Sequence, residues 1–238
     1  MSTLWLVRHG QASFLEADYD RLSSRGEEQA ARLGEHWAGL DLRLDRIVAG
    51  PRRRQLHTAE ILRDVLSRRG LPAPEVEVME ELDEYRSDEL FTHLLPSLAA
   101  SDPVVAGLAG ELAGAVERAV LARAFDRALQ YLLRAWIEGA GAELEMESWA
   151  EFEARIARAR ARLVGGGRGA NVVAVSSGGA IGAFVGQVLE ASPPTRLELG
   201  WTLHNSGVVE LFWSGSRTSL SRFNAVEHLP PGPLRTYR

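Results

Sequence analysis

The sequence predicts an α/β protein, a three-layer α/β/α sandwich built on a mostly parallel sheet and carrying a helical insertion. Three observations point there. Short β-type runs rich in Val, Ile and Leu alternate with helix patterns from Thr3 onward. The alternation lapses over about residues 87–168, where apolar spacing is helical only. It resumes with a strongly apolar run at Asn171–Val175. A length of 238 residues suits one domain, 1–238, holding an insertion, rather than two independent domains.

Thr3 to Arg8 reads as the first strand, ending in the polar turn His9-Gly10-Gln11. Ser23-Ser24 precede a helix, with Glu27 three residues after Ser24 as a capping box, and Ala30, Leu33 and Trp37 form its apolar stripe. Asp45 to Ala49 is the second strand, broken by Gly50-Pro51, and a helix starts within Arg52 to Arg54 and runs through Leu66. Val76 and Val78 mark a third short strand that leads into Glu80 to Glu84. In the insertion, Leu121, Phe125, Leu129, Leu132 and Trp136 trace one amphipathic helix, and Trp149, Phe152, Ile156, Ala159 and Leu163 trace another. Ala99 to Gly114, rich in Ala and Gly, reads as a loosely ordered connection. After Asn171–Val175 come Ser176-Ser177-Gly178-Gly179 and a helix from Ala180 to Leu189. Val208 to Trp213 and Ser219 to Phe223 close the sheet around a Ser214-Gly215-Ser216 turn, and a proline-rich tail spans Pro230 to Pro233.

Composition narrows the chemistry. Apolar residues make up 45% and charged residues 25%, the balance of a globular chain with a core. Without any cysteine, thiol catalysis, disulfides and thiolate zinc sites are excluded. The net charge of −5, from 27 basic and 32 acidic residues, argues against nucleic acid and anionic membranes as partners, so any anion site has to be local. The N-terminal run before Arg8-His9 is too short for a signal peptide or a membrane span, and the expected location is the cytoplasm. The six histidines are too scattered to suggest a metal cluster.

Three strand ends carry chemistry. Arg8 and His9 close the first; Arg52-Arg53-Arg54 open a helix after the second, where the dipole favours anions; and Glu84 ends the third with a carboxyl group suited to general acid work, as do Glu81 and Asp83 nearby. In a parallel sheet these ends share one edge.

Together these segments resemble the histidine phosphatase superfamily, the phosphoglycerate mutase-like fold, in its branch of small bacterial phosphatases. The matching motifs are Arg8-His9-Gly10, then Leu22-Ser23-Ser24-Arg25-Gly26-Glu27-Glu28-Gln29-Ala30, then Pro51 through Ala59 with Arg54 at the arginine position, and then Leu82-Asp83-Glu84. The resemblance implies a metal-independent phosphomonoesterase that needs no cofactor. His9 would carry the phosphoryl group as a phosphohistidine, Glu84 would protonate the leaving oxygen and then activate water, and Arg8 and Arg54 would hold the phosphoryl oxygens. One nitrogen of His9 has to stay free, with the other held by a backbone acceptor. The implied substrate contacts are Arg8, Arg54, Gly10, Ser23, Ser177 and Gly178, with His204 as a further candidate from a late loop. The partner is a small phosphorylated substrate, and the protein is expected to be a monomer or homodimer.

One position departs from the family. Where the family has Ser-His-Gly-Gly, this chain has Ser176-Ser177-Gly178-Gly179, so a neutral hydroxyl stands in place of an imidazole. Loss of one preorganised donor costs on the order of 10²–10³ in rate. That keeps a second reading open, a weakened member that binds a phosphorylated ligand or protein as a sensor or scaffold, and a third, a sugar-phosphate mutase. Elsewhere the plain readings hold: Arg52 and Arg53 as exposed helix-start residues, His57 on a pocket wall, His36, His93 and His228 on the surface, and Trp37, Trp136 and Trp149 in cores.

Overall fold

The computed structural model describes residues 1–13, 20–165, 167, 169–215 and 217–237. Six strands form one sheet in the order β3-β2-β4-β1-β5-β6: β1 Ser2–Arg8, β2 Arg46–Ala49, β3 Val76–Val78, β4 Asn171–Ser176, β5 Val208–Ser214 and β6 Arg217–Ala225. The first four run parallel, while β5 pairs antiparallel with β1 and β6 with β5. The predicted α/β class and mostly parallel sheet are what the structure has. Ser216, in the turn expected between the last two strands, lies outside the described residues.

Register decides where the chemistry goes. Arg8 pairs with Ser176, and Ala49 pairs with both Val175 and Val78, so β1, β4, β2 and β3 end in line. Residues 9, 177 and 50 therefore leave the sheet side by side on its carboxyl edge.

Both sheet faces are covered, as a parallel sheet requires. Trp5, Val7, Ile47, Val173 and Val175 pack with Leu33 and Trp37 of α1 (Ser24–Gly39) and Leu62 and Leu66 of α2 (Arg53–Arg68). The alternate residues Leu4, Leu6, Val172 and Ala174 point the other way and are equally buried.

The chain divides into two compact units, one made of Met1–Glu84 with Arg155–Arg238, the other of Tyr85–Ala154. The second holds α3 Ser87–Glu89, a π-helical turn Leu90–Leu94, α4 Leu95–Ala99, α5 Pro103–Gly114, α6 Arg118–Ile137 and the start of α7 Trp149–Leu163. Tyr85, Trp136, Trp149 and Phe152 form an aromatic cluster in it, of which Trp136 and Phe152 are buried while Trp149, expected in a core, is half-buried. The first unit is completed by α8 Gly178–Val188 and α9 Pro193–Thr202. Among the described residues no helix is long and apolar enough to cross a membrane.

Four expectations need correction. Much of the Ala99–Gly114 stretch is helix: Asp102 caps α5 by accepting from the Val104 N–H, and Pro103 occupies its first turn, a start signal that outweighs the glycines behind it. The first helix has no box between Ser24 and Glu27. Its cap is Ser23, whose hydroxyl accepts from the Gly26 N–H. Arg52 is half-buried rather than exposed, and its Nε bonds to Asp83. His228 is buried, with Nε2 2.8 Å from Ser206 Oγ.

Candidate active site

His9 is buried where β1 ends, its backbone N–H tied to Ser176 O at 2.9 Å. Its Nδ1 lies 2.7 Å from Gly10 O. A carbonyl only accepts, so Nδ1 carries the hydrogen. Nε2 then keeps its lone pair and accepts from Arg54 Nε at 3.1 Å. Burial first, then the charges of Arg54 and Arg8, hold the imidazole pKa well below its ordinary value against the opposing Gly10 bond. The ring is therefore neutral at physiological pH, with a bare nitrogen facing a guanidinium.

Both arginines are themselves fixed. Arg8 donates from one terminal nitrogen to Leu203 O. Arg54, buried in the first turn of α2, also meets Asp20 at 2.8 Å, and the second Asp20 oxygen accepts from the Arg53 N–H. Thr58 one turn on bonds back to Arg54 O and accepts from the Gly10 N–H, which locks the start of α2 to the loop after β1.

The three acidic candidates separate by their partners. Glu81 pairs with Arg162, and Asp83 pairs with Arg52. Glu84 reaches the N-terminus of α8, accepting from the Gly179 N–H at 2.9 Å. Arg155 binds the carbonyls of Glu81 and Asp83 and so braces the turn that presents it.

Ser177 precedes α8 and is buried beside His9. Its Oγ accepts from Gln55 Nε2 at 2.8 Å. Gly178 follows close to Arg8: a Cβ built on it would lie 3.7 Å from Arg8 Nε and 2.8 Å from Gly200 O. Gly10 is equally constrained, since a Cβ there would sit 2.3 Å from Gly26 O.

The structure thus gathers Arg8, His9, Gly10, Arg54, Glu84, Ser177 and Gly178 at one sheet edge. It gives Ser23 and His204 other partners. Ser23 caps α1 and bonds to Gln11. His204 bonds to Asn224 and stacks on Tyr237, with ring centroids 4.1 Å apart. His57 is partly exposed on α2.

Four further residues shape the site without having drawn a role from the sequence. Asp20 and Gln55 touch Arg54 and Ser177. Gln29, fully buried, accepts from the Gln11 N–H and donates to Leu234 O and Thr236 Oγ1. Asn205, tied to Thr236, bonds to His9 O. Gln29 and Gln55 do lie within the motifs of the first and second helices, and burial expected of polar residues on an apolar face would have been their signal. Among the described residues no group of three or more His, Asp or Glu side chains is arranged to hold a metal ion.

The model of the histidine phosphatase superfamily (branch 1) matches residues 4–98 and 110–226. No curated protein sequence matches the chain. Among solved structures, Bacillus stearothermophilus YhfR is similar, with 21% identity and a TM-score of 0.65 over 96% of this chain and 99% of that one. A phosphoserine phosphatase mutant from Entamoeba histolytica, in complex with phosphoserine, gives 20%, 0.62, 97% and 100%. A mycobacterial glucosyl-3-phosphoglycerate phosphatase gives 26%, 0.60, 94% and 98%.

Proposed function

Because the chain belongs to the histidine phosphatase superfamily (branch 1), we propose that it hydrolyses a small phosphomonoester through a phosphohistidine on His9. One observation carries this reading: the neutral His9 ring, with Nδ1–H on Gly10 O and the Nε2 lone pair turned to Arg54. That is the state of a nucleophile, and a buried histidine kept only for packing has no need of a guanidinium facing its bare nitrogen.

In the first step Nε2 attacks phosphorus and the ester P–O bond breaks. The arginines offset the charge on the phosphoryl oxygens, and Arg54 Nε exchanges its bond to His9 for one to an oxygen. Glu84, at the N-terminus of α8, gives a proton to the leaving alkoxide. In the second step the Glu84 carboxylate takes a proton from water as it attacks the phosphohistidine, which releases inorganic phosphate and restores the imidazole. The names of the structural neighbours, a phosphoserine phosphatase and a glucosyl-3-phosphoglycerate phosphatase, support a small phosphorylated metabolite as substrate.

Ser177 favours a second reading, a protein that binds a phosphorylated ligand and turns it over slowly or not at all. Phosphate release from an aryl phosphate, compared between the parent and His9→Ala, separates the two. Hydrolysis by the parent with at least a 10³-fold drop in the variant (about 4 kcal/mol of transition-state stabilisation) supports the enzyme. Equal inactivity together with a melting temperature raised by phosphate supports the binder. Interconversion of phosphoglycerate isomers without phosphate release would make it a mutase.

A further inference from the structure

Gln55 is an uncharged residue in a cluster of arginines, yet it is fully buried and every polar atom of its amide has a defined partner. Its Oε1 accepts from the Arg52 backbone N–H at 3.1 Å. A backbone N–H can only donate, so this bond fixes the amide orientation and turns the NH₂ group toward Ser177 Oγ at 2.8 Å. Ser177 therefore has to accept. Gly50 makes the space: a Cβ there would fall 2.3 Å from Gln55 Oε1.

Ser177 would ordinarily cap α8 by accepting from an N–H of its first turn. It does not, and the Gly179 N–H goes to Glu84 instead. Among the described residues, the hydroxyl oxygen has Gln55 as its hydrogen-bond partner, and accepting from that amide leaves the hydroxyl its own proton to donate. Ser177 leaves the sheet next to His9, whose N–H is bound by Ser176 O, and next to Gly178, which abuts Arg8. The geometry points to Gln55 as a positioning residue that holds the Ser177 oxygen as an acceptor, so that its O–H donates to a phosphoryl oxygen on His9. This rests on the phosphate-binding part of the function proposed above.

Gln55 and Ser177 then work as one unit, filling the place beside His9 with a relayed donor. An imidazole at position 177 would have to share that place with the Gln55 amide. Ser177→His alone is thus expected to slow turnover, and to recover it only when combined with Gln55→Ala.

The test measures inorganic phosphate affinity by calorimetry alongside aryl phosphate kinetics, in the parent, Ser177→Ala, Gln55→Met, Gln55→Glu and the doubles with Ser177→Ala. Ser177→Ala is expected to weaken phosphate binding roughly 10- to 100-fold, the loss of one hydrogen bond to a charged group. Gln55→Met, similar in size but without a donor, should lose part of that and lower kcat more than it changes KM, with the melting temperature within a few degrees of the parent. Gln55→Glu keeps the shape but accepts the Ser177 proton, and should match Ser177→Ala. In the Ser177→Ala background Gln55→Met should do nothing more. Additive losses, a silent Gln55→Met, a Gln55→Glu effect that persists undiminished without the serine hydroxyl, or losses that merely track melting temperature would each overturn the proposal. A parent without turnover would sink the phosphatase reading, while the phosphate affinities would still judge the Gln55–Ser177 pair.

Discussion

Glycine means opposite things at four close-packed positions of one unit of this protein and along helix α5 of the other. In the sheet-bearing unit, Gly10, Gly26, Gly50 and Gly182 are glycine because other backbone or a buried amide occupies the space of a Cβ, at 2.2 to 2.4 Å. In the helical unit Tyr85–Ala154, Gly107, Gly110 and Gly114 of α5 face open space. At the first four positions segments approach so closely that no side chain fits between them. In the other unit, glycine only loosens a helix whose single buried residue is Val105. The difference separates positions where the backbone holds a fixed close approach from positions where an added side chain would meet nothing.

The largest effect should come from breaking the close approach. Gly10→Ala puts a methyl group against the Gly26 carbonyl and pushes His9 out of line, so about 3 kcal/mol of stability should be lost, with most of the activity. Denaturant unfolding and an aryl phosphate assay would measure both. A variant as stable and active as the parent would show that the loop after β1 yields freely.

Acid should act on the same unit nearly as strongly. Burial, the neighbouring His36 and Arg235 bring the His228 pKa from 6.5 down to about 4. Above pH 6.5 both folded and unfolded chains hold the ring neutral. Below it the unfolded chain gains the proton first, so stability falls as pH drops from 6.5 toward 4, by about 3 kcal/mol in all from this residue. His9 adds a loss of the same sign. In His228→Gln the decline between pH 7 and pH 4.5 should be visibly shallower. An unchanged slope would assign the acid sensitivity elsewhere.

The smallest effect is of opposite sign and lies in the other unit. Gly110→Ala on α5 meets no neighbouring atom and should raise stability by roughly 0.5–1 kcal/mol through helix propensity alone. A loss there would mean that α5 is packed against something that the glycine accommodates.

The same contrast explains what the sequence revealed. Strands such as Asn171–Ser176 announce themselves because a parallel strand is buried on both faces and so reads as continuous Val and Ala. Helix α5 was obscured because its Gly and Ala residues carry no apolar period, and only Asp102-Pro103 marked its start. Helix α9 opens similarly, with Pro193 and Pro194 after Ser192, and a reading based on apolar spacing gives it no weight. His9 and Arg8 were legible as polar groups at a strand end, and Arg54 was told apart from Arg52 and Arg53 by its place in the family's motif. Gln55 was not, since its partner Ser177 lies 122 residues away and its amide acts through two bonds that only the fold brings together. Nor was Asp20, whose role depends on an ion pair with Arg54, 34 residues further along the chain.

Trapping the intermediate tests most directly whether His9 takes the phosphoryl group. Glu84→Gln, slowed in attack by water, should accumulate a phosphoryl adduct during turnover of an activated aryl phosphate, stable in base and labile in acid, with intact-mass gain of a single phosphoryl group. The same adduct should be absent from His9→Ala and from the double variant. An adduct that survives the loss of His9, or phosphate release by His9→Ala at the parent rate, would contradict the account.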